Sequence, residues 1–145
     1  MIKKIGFTVA LAFMVLGCSR EKQLLPKNVA SEEIEVASEQ KQPQNISVTD
    51  AFTMIQNGDV TILDVRNQYE TITDGKIANS QLIPVQVLDS YLDRLDNSKT
   101  ILVYCRTGNR SAVASNILRS RGFKAINVLG GINSWRAKGF PVESR

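Results

Sequence analysis

Three short segments made almost entirely of apolar and β-branched residues recur between residues 60 and 129, and helix-like patterns separate them. The segments are Val60–Leu63, Ile101–Tyr104 and Ala125–Leu129. Strands that are apolar on both faces, rather than alternately apolar and polar, are typical of parallel sheets covered by helices on each side. The alternation of such strands with helices therefore predicts an α/β domain built on a parallel sheet.

The segments around these strands carry the signals that begin and end helices. Either Ser47 or Thr49 can cap a first helix that closes at Asn57-Gly58. Apolar side chains recur at helical spacing over residues 87–95. Two further helices are predicted over residues 111–121 and 132–137.

The N-terminus has the pattern of a bacterial lipoprotein signal peptide. Lys3 and Lys4 precede an apolar run from Ile5 to Leu16, which is shorter than the ~20 residues needed to cross a bilayer. The sequence Val-Leu-Gly-Cys ending at Cys18 resembles a lipobox, in which cleavage before the cysteine accompanies its lipidation. We expect Cys18 to anchor the chain to a membrane; the alternative is a plain secretory signal with an incidental cysteine.

A polar segment without aromatic residues follows and is interpreted as a flexible tether. A short, marginal helix over residues 30–39 is the alternative for part of it. The expected division is a signal peptide at 1–17, a lipidated N-terminus and tether at 18–45, and a folded domain at 46–145. Ser19 stands where an aspartate would favour the inner membrane, so we expect attachment in the bacterial cell envelope, on the periplasmic face of the outer membrane.

Composition excludes several kinds of chemistry. The chain contains no histidine, which rules out Ser-His-Asp and Cys-His catalysis and His-ligated zinc. Two cysteines are too few for a disulfide-rich scaffold. No metal-ligand spacing or nucleotide-binding glycine loop is present, so neither a metal nor a cofactor is predicted. The basic residues are scattered, which argues against nucleic acid as a partner.

A cysteine, Cys105, ends the second predicted strand, where sheets of this class place their sites. The residues after it form a polar loop that leads into a helix, and they are Arg106, Thr107, Gly108, Asn109, Arg110 and Ser111. Loop amides, a helix N-terminus and two arginines stabilise a thiolate over a thiol. We therefore expect the pKa of Cys105 to be lowered; the alternative is an inert, buried cysteine.

A second charged pair, Asp64 and Arg66, ends the first predicted strand. Because neighbouring parallel strands end at the same edge of a sheet, we expect this pair to lie near the Cys105 loop. Arg66 and Arg110 are candidates for anion binding or electrostatic support, with Asp64 as a structural partner. The alternative is a local ion pair that merely holds the strand end.

Residues 46–142 resemble a single rhodanese (sulfurtransferase) domain. Four pieces carry the resemblance in the family's order, namely residues 62–66 with Glu70, residues 74–84, the loop 104–111, and residues 128–142. The resemblance implies a parallel sheet of about five strands with helices on both faces. It also implies that Cys105 is the nucleophile, which takes a sulfane sulfur from a donor such as thiosulfate and passes it as a persulfide to cyanide or a thiol.

Residues 106–111 would then be the cradle of that persulfide, and no cofactor is implied. Lys76 replaces the histidine of the family's Gly-His-Ile pattern; that histidine has no part in the family mechanism, so the change concerns packing. Four residues separate Cys105 from Arg110, whereas the related phosphatases and arsenate reductases have five, so an oxyanion enzyme is the weaker interpretation. A non-catalytic sulfur-carrier or docking module at the membrane is the other alternative.

Two further expectations concern the surface and the assembly. Trp135 is predicted to cap the core rather than to form a wall for substrate. We expect the protein to be a monomer.

Overall fold

The computed structural model describes residues 42–144. The elements in this range are β1 (Asn45–Ile46), α1 (Val48–Asn57), β2 (Val60–Asp64), α2 (Gln68–Asp74), β3 (Gln81–Leu82), a 3₁₀ helix (Val85–Arg94), β4 (Thr100–Tyr104), α3 (Asn109–Ser120), β5 (Lys124–Val128) and α4 (Gly131–Ala137). The predicted signal peptide, Cys18, the helix considered over residues 30–39 and Arg145 lie outside the described residues. Within residues 42–144, no helix has the length and apolar character needed to span a membrane.

The five strands form one sheet in the order β1-β5-β4-β2-β3, and every neighbouring pair is parallel. This confirms the predicted α/β fold. The register places Leu63 of β2 beside Val103 of β4, which in turn lies beside Asn127 of β5. The central strand is therefore β4, and its carboxyl end is flanked by the ends of β2 and β5.

The sheet has an apolar cluster on each face, as strands that are apolar throughout require. Helices α1 and α4 cover one face, where Leu102 and Trp135 belong to the buried cluster. Helix α3 and the 3₁₀ helix cover the other face, where Val103 and Leu118 are fully buried. Neighbouring residues of β4 thus enter opposite clusters, because successive side chains of a strand alternate between faces.

The helix caps predicted for α1 are present at both of its ends. The Ser47 side chain accepts a hydrogen bond from the Asp50 amide at 3.2 Å, so Ser47 rather than Thr49 is the cap. Gly58 ends the helix with φ 89°, in the left-handed region that glycine enters most easily.

Several elements differ from the sequence-based expectation. The two-residue strands β1 and β3 and the helix α2 were not predicted, because two residues carry no periodic pattern and α2 is short. The helix predicted over residues 87–95 is a 3₁₀ helix that begins two residues earlier, at Val85. Helix α3 begins at Asn109 rather than Ser111, so the second half of the Cys105 loop is already its first turn.

Candidate active site

Cys105 lies directly after the central strand β4, at the carboxyl edge of the sheet. Asp64, the last residue of β2, pairs with Tyr104 in the parallel register, so the ends of these strands are adjacent as predicted. The side chain of Cys105 belongs to the cluster under α3, and the residue is only 1% exposed. The sulfur therefore lies at the bottom of the loop, next to the first turn of α3.

Polar groups of the loop and of the first turn of α3 contact the sulfur atom directly. The Gly108 amide donates a hydrogen bond to Sγ at 3.1 Å, and the Ser111 hydroxyl lies 3.5 Å from Sγ. Gly108 has φ 103°, a conformation that only glycine adopts without strain and that turns its amide toward the sulfur.

These contacts act on the ionisation of the thiol. Burial acts to raise the pKa of Cys105, but hydrogen bonds from the Ser111 hydroxyl and from the amides of Ser111, Gly108 and Thr107 outweigh it, so the pKa is lowered. Hydrogen bonds to a charged form favour that form. The loop thus favours a thiolate in a chain without histidine.

The turn before α4 holds the first residues of the loop in place. The Ile132 amide donates to the Cys105 carbonyl at 2.9 Å, and the Asn133 amide donates to the Arg106 carbonyl at 3.1 Å. Gly131 has φ 53°, and a β-carbon at this position would overlap the Cys105 carbonyl oxygen. Glycine at position 131 is therefore required for the close approach of α4 to the loop.

Arg110, at the end of the loop, is held by a carboxylate on α2. Its two terminal nitrogens donate to the two carboxylate oxygens of Glu70, each at 2.7 Å. The hydrogen bonds from Arg110 lower the pKa of Glu70 to about 2, although burial opposes this shift. The same ion pair raises the pKa of Arg110. Arg110 is thus already paired, in a bidentate geometry that adds both strength and orientation.

From the sequence, Glu70 is recognisable only as part of the family motif, and its pairing with Arg110 was not predicted. A local signal does mark the residue: the Asn67 amide donates to its carboxylate at 3.1 Å, in a capping box at the start of α2. Nothing in the sequence, however, indicates that the same carboxylate also meets Arg110.

Arg66 is buried beneath the site and does not line it. Its guanidinium is paired with Asp64, with Nη2 2.6 Å from Oδ2, and Nη2 also donates to the Gly75 carbonyl at 2.8 Å. It lies over the Tyr104 ring at 5.5 Å from the centroid. Burial acts to lower the pKa of Arg66, but the hydrogen bonds to Asp64 outweigh it and the pKa is raised. Asp64 and Arg66 thus form a buried ion pair at the end of β2.

The predicted loop residues divide into buried and exposed sets. Gly108 and Ser111 are buried against the sulfur, whereas the remaining members point outward to different extents. Arg110 is half-buried, and the exposed residues are Arg106, Thr107 and Asn109. The exposed residues of the loop therefore form a polar surface that covers the buried sulfur atom of Cys105.

Trp135 lies away from this surface and is part of the core, as predicted. It is 2% exposed and its indole N–H donates to the Pro141 carbonyl at 2.9 Å. Its ring packs edge-on against Phe52 and Phe140.

The family model that matches this chain and its sequence relatives point to the same protein family. The Rhodanese-like domain family matches residues 47–138. Thiosulfate sulfurtransferase GlpE of Coxiella burnetii is 32% identical over 95 residues, which are 65% of this chain and 88% of that protein. A sulfurtransferase of Allochromatium vinosum is 29% identical over 85 residues, which are 58% of this chain and 78% of that protein.

Solved structures agree with these sequence relatives. A rhodanese-related protein from Thermoplasma volcanium superposes with a TM-score of 0.66 and 38% identity, covering 70% of this chain and 99% of that one. On the combined match of sequence, fold and loop position, the chain belongs to the rhodanese-like domain family.

Proposed function

We propose that this protein is a sulfurtransferase that moves a sulfane sulfur from a donor such as thiosulfate to cyanide or a thiol through a persulfide on Cys105. The observation that carries the proposal is the sulfur atom of Cys105, which faces the Gly108 amide and the Ser111 hydroxyl and has a lowered pKa. The sulfurtransferase relatives support the same class of reaction.

In the first step, the Cys105 thiolate attacks the outer sulfur of thiosulfate. A new sulfur–sulfur bond forms to Cys105, the sulfur–sulfur bond of thiosulfate breaks, and sulfite leaves with its electron pair. The product is a persulfide whose terminal sulfur carries the negative charge, so no proton is gained or lost. Backbone amides that favour the thiolate also favour this anion, because both place negative charge on sulfur within the same loop.

In the second step, an acceptor such as cyanide attacks the terminal sulfur of the persulfide. The bond from that sulfur to Cys105 breaks, thiocyanate leaves, and the Cys105 thiolate is restored. The cycle needs a nucleophile and an anion cradle but no general base, which is compatible with a chain that contains no histidine.

The test is mass spectrometry of the full chain after incubation with thiosulfate, followed by addition of cyanide. We expect the Cys105 peptide to gain the mass of one sulfur atom and to lose it again as thiocyanate forms. Cys105→Ser should abolish both signals, while Cys18→Ala should retain them because that cysteine has no role in the chemistry. No sulfur on Cys105 with thiosulfate or any other sulfane donor would overturn the proposal.

The same experiment separates an enzyme from a non-catalytic carrier. A carrier or docking module would show either a persulfide without turnover or a cellular role that survives Cys105→Ser. Steady formation of thiocyanate, in excess of the protein present and lost in Cys105→Ser, excludes that alternative.

We further propose that a lipid on Cys18 holds the domain at the bacterial envelope, on the periplasmic face of the outer membrane. The support is the lipobox-like sequence that ends at Cys18 and the polar segment that follows it. Membrane fractionation tests this proposal. The unchanged chain should sediment with outer membranes, and Cys18→Ala should not; equal distribution of both would contradict lipid anchoring.

A further inference from the structure

The arginines around the Cys105 loop differ in what they already contact. Arg66 is buried and forms an ion pair with Asp64, and both terminal nitrogens of Arg110 donate hydrogen bonds to Glu70. These two arginines were the sequence-based candidates for anion binding, but Arg66 is fully buried and the charge of Arg110 is balanced by Glu70. An anion is therefore attracted more strongly by exposed cations whose charge is not balanced by a carboxylate of their own.

Two exposed arginines meet this requirement, and they lie on either side of one carboxylate. Arg106 is the first residue after Cys105, and its side chain is 58% exposed with Nε 3.9 Å from Oδ2 of Asp74. Arg136 on α4 is 52% exposed, with Nη1 3.7 Å from Oδ1 of the same carboxylate. Asp74 is itself only 16% exposed and lies 4.0 Å from Nη1 of the buried Arg66.

This arrangement leaves an excess of positive charge at the surface. The charge of Arg66 is balanced within the protein by Asp64, and the single negative charge of Asp74 is shared between two exposed guanidinium groups. The nitrogen–oxygen distances from Arg106 and Arg136 to Asp74 are longer than an ordinary hydrogen bond. N–H groups of both arginines therefore remain available to bind an anion. Guanidinium groups bind oxyanions well because their N–H groups are arranged as a planar fork.

The backbone links Arg136 to the reacting cysteine. The amides at the start of α4 donate to the carbonyls of Cys105 and Arg106, at 2.9 and 3.1 Å. Arg136 follows one helical turn later, on the same short helix. Its guanidinium lies beside the same carboxylate, Asp74, as the loop residue Arg106, although Arg136 is 31 positions from Cys105 along the sequence.

We propose that Arg106 and Arg136, which lie on either side of Asp74, form a cationic rim that binds a doubly charged sulfur oxyanion of the thiosulfate class before Cys105 attacks it. The inference rests on the proposed function and adds to it a binding residue outside the loop, Arg136, and a preference for doubly charged donors. A dianion gains about twice the interaction energy of a monoanion with the same rim, since the interaction scales with charge. The rim therefore favours inorganic thiosulfate over singly charged or neutral sulfur donors.

The first test compares Arg136→Gln with Arg121→Gln in the full chain. Arg121 is a matched control because it is 55% exposed and paired with one aspartate, Asp89, at 3.0 Å, but follows the end of α3 that is remote from the loop. For Arg136→Gln we expect the KM for thiosulfate to rise about three- to tenfold, as for loss of one partly screened charge, with kcat changed less than twofold. The rise should be smaller with a monoanionic thiosulfonate donor and absent in Arg121→Gln.

The second test does not depend on sulfur transfer. The full chain is alkylated with iodoacetate, which is an anion, or with iodoacetamide, which is neutral and similar in size. The rate at Cys105 is followed by mass spectrometry of the peptide that contains it, and the iodoacetate rate is divided by the iodoacetamide rate. We expect this ratio to fall about threefold in Arg136→Gln, because the rim attracts anions, and to stay unchanged in Arg121→Gln. High salt should reduce the difference between the two variants.

The outcomes distinguish the two proposals. An unchanged alkylation ratio together with an unchanged KM in Arg136→Gln overturns the cationic rim while leaving the sulfurtransferase intact. A reduced ratio in a protein that forms no persulfide supports the rim as an anion site and overturns the proposed function instead. A fall in kcat with unchanged KM would show that Arg136 acts on the chemical step and not on binding, which also contradicts the proposal.

Discussion

The sulfur of Cys105 receives hydrogen bonds in a site where the cysteine is almost completely buried. Burial in apolar surroundings alone would favour the neutral thiol, since a charge loses its hydration there. The hydroxyl of Ser111 and the loop amides reverse this preference and lower the pKa. Reactivity at this residue therefore depends on donors that the loop supplies rather than on a neighbouring base.

Ser111→Ala tests this account of the thiol. The substitution removes one donor to the sulfur, so the pKa of Cys105 should rise and less thiolate should be present at neutral pH. The measurement is the pH dependence of Cys105 alkylation by iodoacetamide, whose midpoint we expect to move to higher pH. Ser120→Ala is the control, because Ser120 is on the same helix and its hydroxyl donates only to the Ile117 carbonyl. Identical midpoints for both variants would contradict the role of Ser111.

At the scale of elements, the ion pair between Glu70 and Arg110 joins α2 to α3 across the loop. Glu70 is nearly buried, and its pKa falls from an ordinary value of 4.5 to about 2. A carboxyl whose pKa is lower in the folded state stabilises the fold above the unfolded pKa and loses that contribution as the pH falls through the folded pKa. The contribution of Glu70 should therefore be complete above about pH 5 and disappear between pH 4.5 and 2.

Glu70→Gln is expected to lower the free energy of unfolding by about 2 kcal/mol at pH 7, the usual size for a hydrogen bond to a charged group. Chemical denaturation at a series of pH values measures the difference, which should shrink toward pH 2. Glu143→Gln is the control, because Glu143 is half exposed and lies 3.4 Å from Lys76, and exposed pairs contribute little. A difference for Glu70→Gln that is independent of pH would argue against the ion pair as its source.

The approach of α4 to the loop supplies a second prediction at this scale. Gly131→Ala would place a β-carbon on the Cys105 carbonyl, whereas at Gly122 the space is open and only the positive φ opposes alanine. We expect Gly122→Ala to lower the free energy of unfolding by about 1 kcal/mol and Gly131→Ala to lower it by about 2 kcal/mol more, as for overpacking in a dense site. Gly131→Ala should also slow alkylation of Cys105 or broaden its pH dependence, because the loop must shift; equal effects of the two variants would contradict the close packing.

For the whole domain, the two apolar clusters share one sheet and should unfold together. Trp135 is the single tryptophan of the chain and lies in the cluster under α1 and α4. Leu118 is fully buried in the cluster on the opposite face. Because each residue of β4 supports one cluster or the other, loss of packing on either face weakens the same central strand.

Leu118→Ala should therefore destabilise the domain by about 2–5 kcal/mol, the usual range for a cavity left by leucine. The denaturant midpoint measured by Trp135 fluorescence should fall as far as the midpoint measured by far-UV circular dichroism, as in a two-state transition. A fluorescence midpoint that stays unchanged while the dichroism midpoint falls would mean that the two faces unfold separately.

Features that depend on local patterns could be predicted from the sequence. The buried strands, the caps at Ser47 and Gly58, and the place of Cys105 at a strand end all follow from residues that are close along the chain. The short strands β1 and β3 could not be predicted in this way. Two residues have no periodicity, and they are strands only because a neighbouring strand of the sheet supplies their partners.

The sequence by itself determined the alternation of strands and helices, the α/β class and the loop that carries Cys105, because apolar periodicity and glycine positions act over short stretches. Only the tertiary structure decided which charges that are distant along the chain face each other. Glu70 contacts Arg110, which lies 40 positions further along the chain, and Arg136 lies beside Asp74. Electrostatic partners depend on distances of a few ångströms between packed helices, and those distances exist only once α2, α3 and α4 lie against the sheet.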